Sequence, residues 1–127
     1  GQKVAEHLSN QPMVERVAYP GTSSGLTKDR ADKYLSNGCG GLLGFEIKGG
    51  HEAGKKFINS LEMLYHVANI GDSRSLAIHP ASTTHSQLNE EELASGGISS
   101  GYIRLSIGLE HIDDILADID QALAKAE

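Results

Sequence analysis

The sequence contains no tryptophan, a single cysteine and only three prolines among 127 residues. One cysteine, Cys39, excludes an internal disulfide framework and suits a reducing compartment. No apolar run approaches the length that spans a bilayer and the start carries no signal-peptide pattern, so no membrane role is expected. Positive charge is scarce too: 11 Lys and Arg stand against 17 Asp and Glu, a net charge of -6. That balance argues against nucleic acid or an anionic membrane surface as a partner, and the expected location is the cytoplasm. HExxH and closely spaced Cys/His pairs are absent, so the six histidines, His79 and His85 among them, read as loop and surface residues rather than metal ligands. Cys39 lies among glycines with no basic neighbour, which excludes an activated thiolate.

What is present fits one globular domain over residues 1–127, with 39% hydrophobic and 22% charged residues. Two strand-like segments alternate clearly. Over Leu42–Lys48, Leu43, Phe45 and Ile47 share one face. Over Tyr102–Ile107, Ile103, Leu105 and Ile107 share one face, and Tyr102, Arg104 and Ser106 the other. Further strands are expected at Val14–Ala18 and Tyr65–Ile70, with an extended piece at Leu76–His79. Helical spacing marks Gly1–Asn10, about Thr27–Ser36 with Thr27 as N-cap, about His51–Met63, a brief helix after Asn89, and about Ile112–Lys125. Asp113 and Asp114 complement the dipole of the last helix, which accounts for the acidic run with Glu110 without acid–base chemistry. The sum is an α+β fold: a small sheet of about four mostly antiparallel strands with helices on one face and a polar second face.

The glycines Gly38, Gly40, Gly41 and Gly44 follow a helix and precede a strand, the reverse of a dinucleotide-binding order, so they read as a tight turn. Arg104 is the residue of chemical interest. A guanidinium in mid-strand on a polar sheet face is either a solvated arginine paired with Glu46 or a fork waiting for a carboxylate. An autonomous binding module using this face is the alternative to an enzyme.

Longer strings point to a family. Val67-Ala68-Asn69-Ile70-Gly71-Asp72-Ser73-Arg74-Ser75-Leu76, then His79-Pro80-Ala81-Ser82-Thr83-Thr84-His85-Ser86, and Ile103-Arg104-Leu105-Ser106-Ile107-Gly108-Leu109-Glu110 resemble the C-terminal domain of the Cys/Met-metabolism family of pyridoxal-phosphate enzymes. Val17-Ala18-Tyr19-Pro20-Gly21 and Phe45-Glu46-Ile47-Lys48-Gly49-Gly50 fit as well, so the resemblance covers essentially the whole chain. It implies the C-terminal domain of a fold-type I enzyme. Arg104 would bind the substrate α-carboxylate, with Asn69, Ser75 and Thr84 as further substrate-site residues. Asn69 stands where many relatives carry a serine. The branch it implies exchanges the acetate of O-acetylhomoserine for sulfide or a thiol in methionine biosynthesis, with cystathionine γ-synthesis and methionine γ-elimination as alternatives.

The family's Schiff-base lysine, in a Ser-x-Thr-Lys context, has no counterpart. Leu26-Thr27-Lys28-Asp29 sits at a helix start in the wrong domain. The expectation is therefore that pyridoxal phosphate serves the full-length enzyme and that this domain alone binds none. No catalytic residue is expected in the chain itself. The partners implied are a large cofactor domain of the same polypeptide, absent from this chain, and like subunits in a homotetramer. The helical pattern already running at Gly1 reads as the second half of a longer helix.

Overall fold

The computed structural model describes all 127 residues. In chain order the elements are α1 (Gln2–Ser9), β1 (Val14–Ala18), a 3-10 turn (Pro20–Thr22), α2 (Gly25–Tyr34), β2 (Leu42–Ile47), α3 (Gly50–Ser60), β3 (Tyr65–His66), β4 (Leu76–Ile78), a second 3-10 turn (Pro80–Ser82), α4 (Glu90–Ser95), β5 (Tyr102–Ser106) and α5 (Ile112–Ala126). Five strands form one sheet in the order β1-β2-β5-β4-β3. All neighbours are antiparallel except β3 and β4. The α+β expectation therefore holds, with one strand more than the alternation showed.

The core lies between the sheet and helices α1, α3 and α5. The face of β2 and β5 that carries Leu43, Phe45, Ile47, Ile103 and Leu105 is buried against Val4, Leu8, Phe57, Ile115 and Ile119. Phe45 and Phe57 meet edge to face, ring centroids 5.4 Å apart. Burying these side chains is the main force holding strands to helices, at about 1.5–3 kcal/mol for each large apolar group.

Three boundaries depart from the sequence reading, each for a local reason. α3 stops at Ser60, because the buried carboxylate of Asp118 in α5 accepts the N–H groups of Glu62, Met63 and Leu64 at 2.8–2.9 Å and draws that backbone out of the helix. Gln121 of α5 donates to the carbonyl of Ser60 and closes the helix end. β3 is two residues long rather than six. The Val67 amide still reaches the carbonyl of Ala77 at 3.3 Å, but Asn69 then caps its neighbour Ile70, and Gly71 turns the chain at a φ of 73°. α2 begins at Gly25 after an extended Ser24, so Thr27 lies inside the helix and is not its cap.

The second face of the sheet is less polar than its sequence suggested. Residues paired across a ladder point to the same side, so Leu76 and Ile78 share a face with Ser106 and Arg104. Both are buried outside the main core, along with Ala81 and Leu93. His79 is not a surface histidine: it is wholly buried at the end of β4. One ring nitrogen, Nε2, bonds the carbonyl of Ser100 at 2.7 Å, and the other meets the Ser82 hydroxyl at 2.9 Å. Gly54 of α3 makes room for the ring, since a Cβ there would stand 2.5 Å from Nε2. Burial lowers the His79 pKa, partly offset by the Ser100 carbonyl, so the fold favours a neutral ring.

Candidate functional site

Arg104 sits in the middle of β5, the central strand. Its cross-strand neighbours are Gly44 on one side and Ile78 on the other, and neither carries a charge. The Tyr102 ring lies over Gly44: a Cβ on that glycine would stand 2.0 Å from the phenol oxygen. Glu46, the expected partner, is taken by Arg16 of β1 in an ion pair. Arg104 thus forms no salt bridge, and its one hydrogen bond donates from a terminal guanidinium nitrogen to the carbonyl of Asn69 at 3.3 Å. Most of its five donors remain available. The solvated-pair reading of this residue loses its partner.

Of the expected substrate-site residues, Asn69 is brought to Arg104, through its backbone carbonyl. The Asn69 side chain is spent on the Ile70 amide at 2.9 Å. Ser75 lies elsewhere in the same framework, fully buried at the entrance to β4. Its hydroxyl donates to Glu110 at 2.7 Å and accepts from the Gly108 amide at 2.9 Å. Thr84 is exposed beyond the second 3-10 turn and hydrogen-bonds with His85, with no bond to Arg104 or Asn69.

Beside Arg104 on the same face, Ser106 donates the wall of a cleft of about 380 Å³ lined also by Gly41, Leu42, Ile70, Gly71, Asp72 and Ile107. The Ser106 hydroxyl accepts the Gly71 amide at 3.0 Å. Asp72 accepts the Arg74 amide at 3.1 Å, and that bond in particular holds its carboxyl below the usual range. The Arg74 guanidinium stacks over the Tyr65 ring, 4.5 Å from its centre. Burial pushes Glu110 up, but the N–H and hydroxyl of Ser75 outweigh it and keep the group below the normal carboxylate range.

Ser106, Glu110 and His79 were not visible as partners in the sequence. One signal was available: Gly108, since a glycine just past a strand marks a close backbone approach. A Cβ there would meet the Ser73 carbonyl at 2.3 Å.

The chain has seven lysines, Lys3, Lys28, Lys33, Lys48, Lys55, Lys56 and Lys125; none lies in β3, β4 or β5, and Lys48 directly follows β2, the strand that pairs with Arg104. Lys28 is committed to Asp32 on the surface of α2. None of the seven stands in the Ser-x-Thr-Lys context of the family's Schiff-base lysine, so the residues of this chain do not fit a cofactor held in that way. No cluster of His, Cys, Asp or Glu could hold a metal ion, and no helix is long and apolar enough to cross a membrane.

Residues 1–124 match the model of the Cys/Met metabolism PLP-dependent enzyme family. The chain is 55% identical over 122 residues to an O-acetyl-L-homoserine sulfhydrylase from Leptospira meyeri, covering 95% of this chain and 28% of the relative. It is 49% identical to an L-methionine gamma-lyase from Pseudomonas putida, covering 96% and 30%. A Campylobacter jejuni crystal structure assigned as an O-acetylhomoserine (thiol)-lyase, with a pyridoxyl-lysine monophosphate, superposes with a TM-score of 0.87 at 46% identity, covering 97% of this chain and 29% of that one. The chain thus spans under a third of the length of these relatives. With a family match over nearly its whole length, the chain belongs to the Cys/Met-metabolism family of pyridoxal-phosphate-dependent enzymes.

Proposed function

We propose that this chain is the C-terminal, carboxylate-recognising domain of an enzyme that converts O-acetylhomoserine and sulfide (or a thiol) into homocysteine (or methionine) and acetate. One observation carries the reading: Arg104, at the centre of the sheet, has no acidic partner and is flanked by Gly44 and Ile78. A planar fork so placed accepts a carboxylate through two parallel N–H···O bonds. Fixing the α-carboxylate orients the rest of the amino acid, a positioning contribution. Asn69 keeps one guanidinium nitrogen in register through its carbonyl. Thr84 would lie at the periphery of the substrate site. The cofactor, its lysine and the residues that cradle its phosphate belong to a larger domain of the same polypeptide, and the full enzyme works as a cytoplasmic homotetramer.

A second reading is methionine γ-elimination, supported by the similarity to the Pseudomonas putida L-methionine gamma-lyase. The resemblance associates Asn69 in place of serine with the sulfhydrylase branch, and identity is higher to the Leptospira meyeri sulfhydrylase, 55% against 49%. The test is to assay the enzyme that carries this chain with O-acetylhomoserine plus sulfide and, separately, with methionine alone. Homocysteine formation far above methionine breakdown is the expected result. The reverse ranking would move the assignment to the lyase branch, and turnover of neither would reject both readings and leave cystathionine γ-synthesis to be assayed.

A further inference from the structure

Residues 68–75 form no ladder, yet they are bound to the end of β5 and the turn after it at several points. The Gly71 amide donates to Ser106, and the Leu109 amide donates to the Ser73 carbonyl at 2.9 Å. The strongest tie is a carboxylate: Glu110 accepts the Ser75 N–H at 2.6 Å through one oxygen and the Ser75 hydroxyl at 2.7 Å through the other. Both donors belong to a fully buried residue, so each would be left unsatisfied without Glu110. The same loop carries Asn69, whose carbonyl is the one group in the chain that Arg104 bonds.

We infer that Glu110 is a positioning residue for Arg104: by gripping both donors of Ser75 it fixes the 68–75 loop, and the loop holds the guanidinium in the orientation that meets a carboxylate. This rests on the carboxylate-recognition reading above. Both carboxylate oxygens of Glu110 are engaged by Ser75, so its influence on Arg104 passes through the loop. A glutamine at 110 can accept only one of the two donors. Its amide N–H₂, turned to Ser75, would face a hydroxyl oxygen that already accepts from Gly108 and would leave the hydroxyl hydrogen without an acceptor. An aspartate keeps the charge but is one methylene too short to span both donors.

The test uses the 127-residue chain, its Glu110→Gln, Glu110→Asp and Ser75→Ala variants, amide hydrogen exchange, and the Arg104 Nε–H resonance followed during titration with acetate. Exchange at Gly71 and Ser75 should quicken by roughly tenfold or more in Glu110→Gln, with Leu105 and Ile119 unchanged. The Arg104 resonance should move, and its response to acetate should weaken in parallel. Ser75→Ala keeps the amide tie and should show a smaller effect of the same kind, which preserves the test if Glu110→Gln does not fold. Unchanged exchange at Gly71 and Ser75, or equal quickening at Leu105 and Ile119, overturns the inference. A wild-type resonance indifferent to acetate defeats the carboxylate reading, while quickened loop exchange in Glu110→Gln would still uphold the loop-fixing role.

Discussion

Arg104 faces Gly44 directly across the β2–β5 ladder, so the cross-strand position that would ordinarily supply a neutralising carboxylate holds a hydrogen atom. The Tyr102 ring fills the space, and Glu46, one diagonal away, is drawn to Arg16. The arginine is kept unpaired by its neighbours.

Replacing Arg104 with lysine in the enzyme that carries this chain should lower kcat/KM for O-acetylhomoserine by roughly tenfold or more, with cofactor content intact. Lysine keeps the charge and loses the fork. Arg74→Lys is the control, because Arg74 is committed to the Tyr65 ring. If Arg74→Lys cripples the enzyme and Arg104→Lys is silent, the carboxylate belongs to Arg74.

Leu105 is fully buried beneath the helices. Leu105→Ala should cost about 2–5 kcal/mol through lost transfer energy and the cavity left behind. Urea unfolding measures it, and a change under roughly half a kilocalorie would contradict the core assignment.

Asp118 should tie stability to pH. Burial opposes its charge, but the three amides of Glu62, Met63 and Leu64 outweigh burial and hold its pKa down in the fold. A depressed carboxylate stabilises the fold above its unfolded pKa of about 3.9, and the contribution drains away as pH falls through the lower folded value. Asp118→Asn presents one acceptor where there were two and turns an N–H₂ toward donors. It should cost about 1–3 kcal/mol at neutral pH and flatten the acid limb of a stability–pH profile. An unchanged acid limb would show that other carboxylates set it.

Gly54→Ala should destabilise by about 1–3 kcal/mol despite alanine's better helix propensity. The new methyl would strike the buried His79 ring and push it off the Ser100 carbonyl. Thermal denaturation reads this, and a stabilised variant would mean the ring moves freely.

The isolated 127-residue chain should fold and yet retain no pyridoxal phosphate after dialysis. None of its seven lysines stands in a Ser-x-Thr-Lys context. A stoichiometric visible band that survives dialysis, with homocysteine formed from sulfide, would refute the division of labour proposed between domains.

The elements that alternate or repeat over several turns were legible in the sequence. Leu43, Phe45 and Ile47 announced β2, and the stripe Ile115, Ile119 and Leu123 announced α5. β4 was seen only as an extended piece, because Leu76, Ala77 and Ile78 are all buried and show no alternation. Val67–Ile70 read as strand from composition, but side-chain bonds, which leave no periodic trace, turn it into loop. His79 and Glu110 were misjudged for a related reason. Their roles depend on Gly54 and Ser75, whose nearness arises only from the packed fold. Arg104 stands out in the sequence itself, because a charge in mid-strand is a local anomaly that needs no knowledge of distant neighbours.

β5 enters the sheet last among the strands and takes its middle place, between β2 and β4. Leu43 therefore waits for Leu105, and Leu76 for Ser106, before either ladder can close. Such distant pairings slow folding, and on a ribosome the strands β1 to β4 emerge with two open inner edges. A nascent chain that stalls before Tyr102 exposes the apolar residues of β2 and β4 to any passing strand. Arg104 thus arrives on the same segment that seals the sheet, so under the proposed function a chain unable to finish folding also lacks its carboxylate fork.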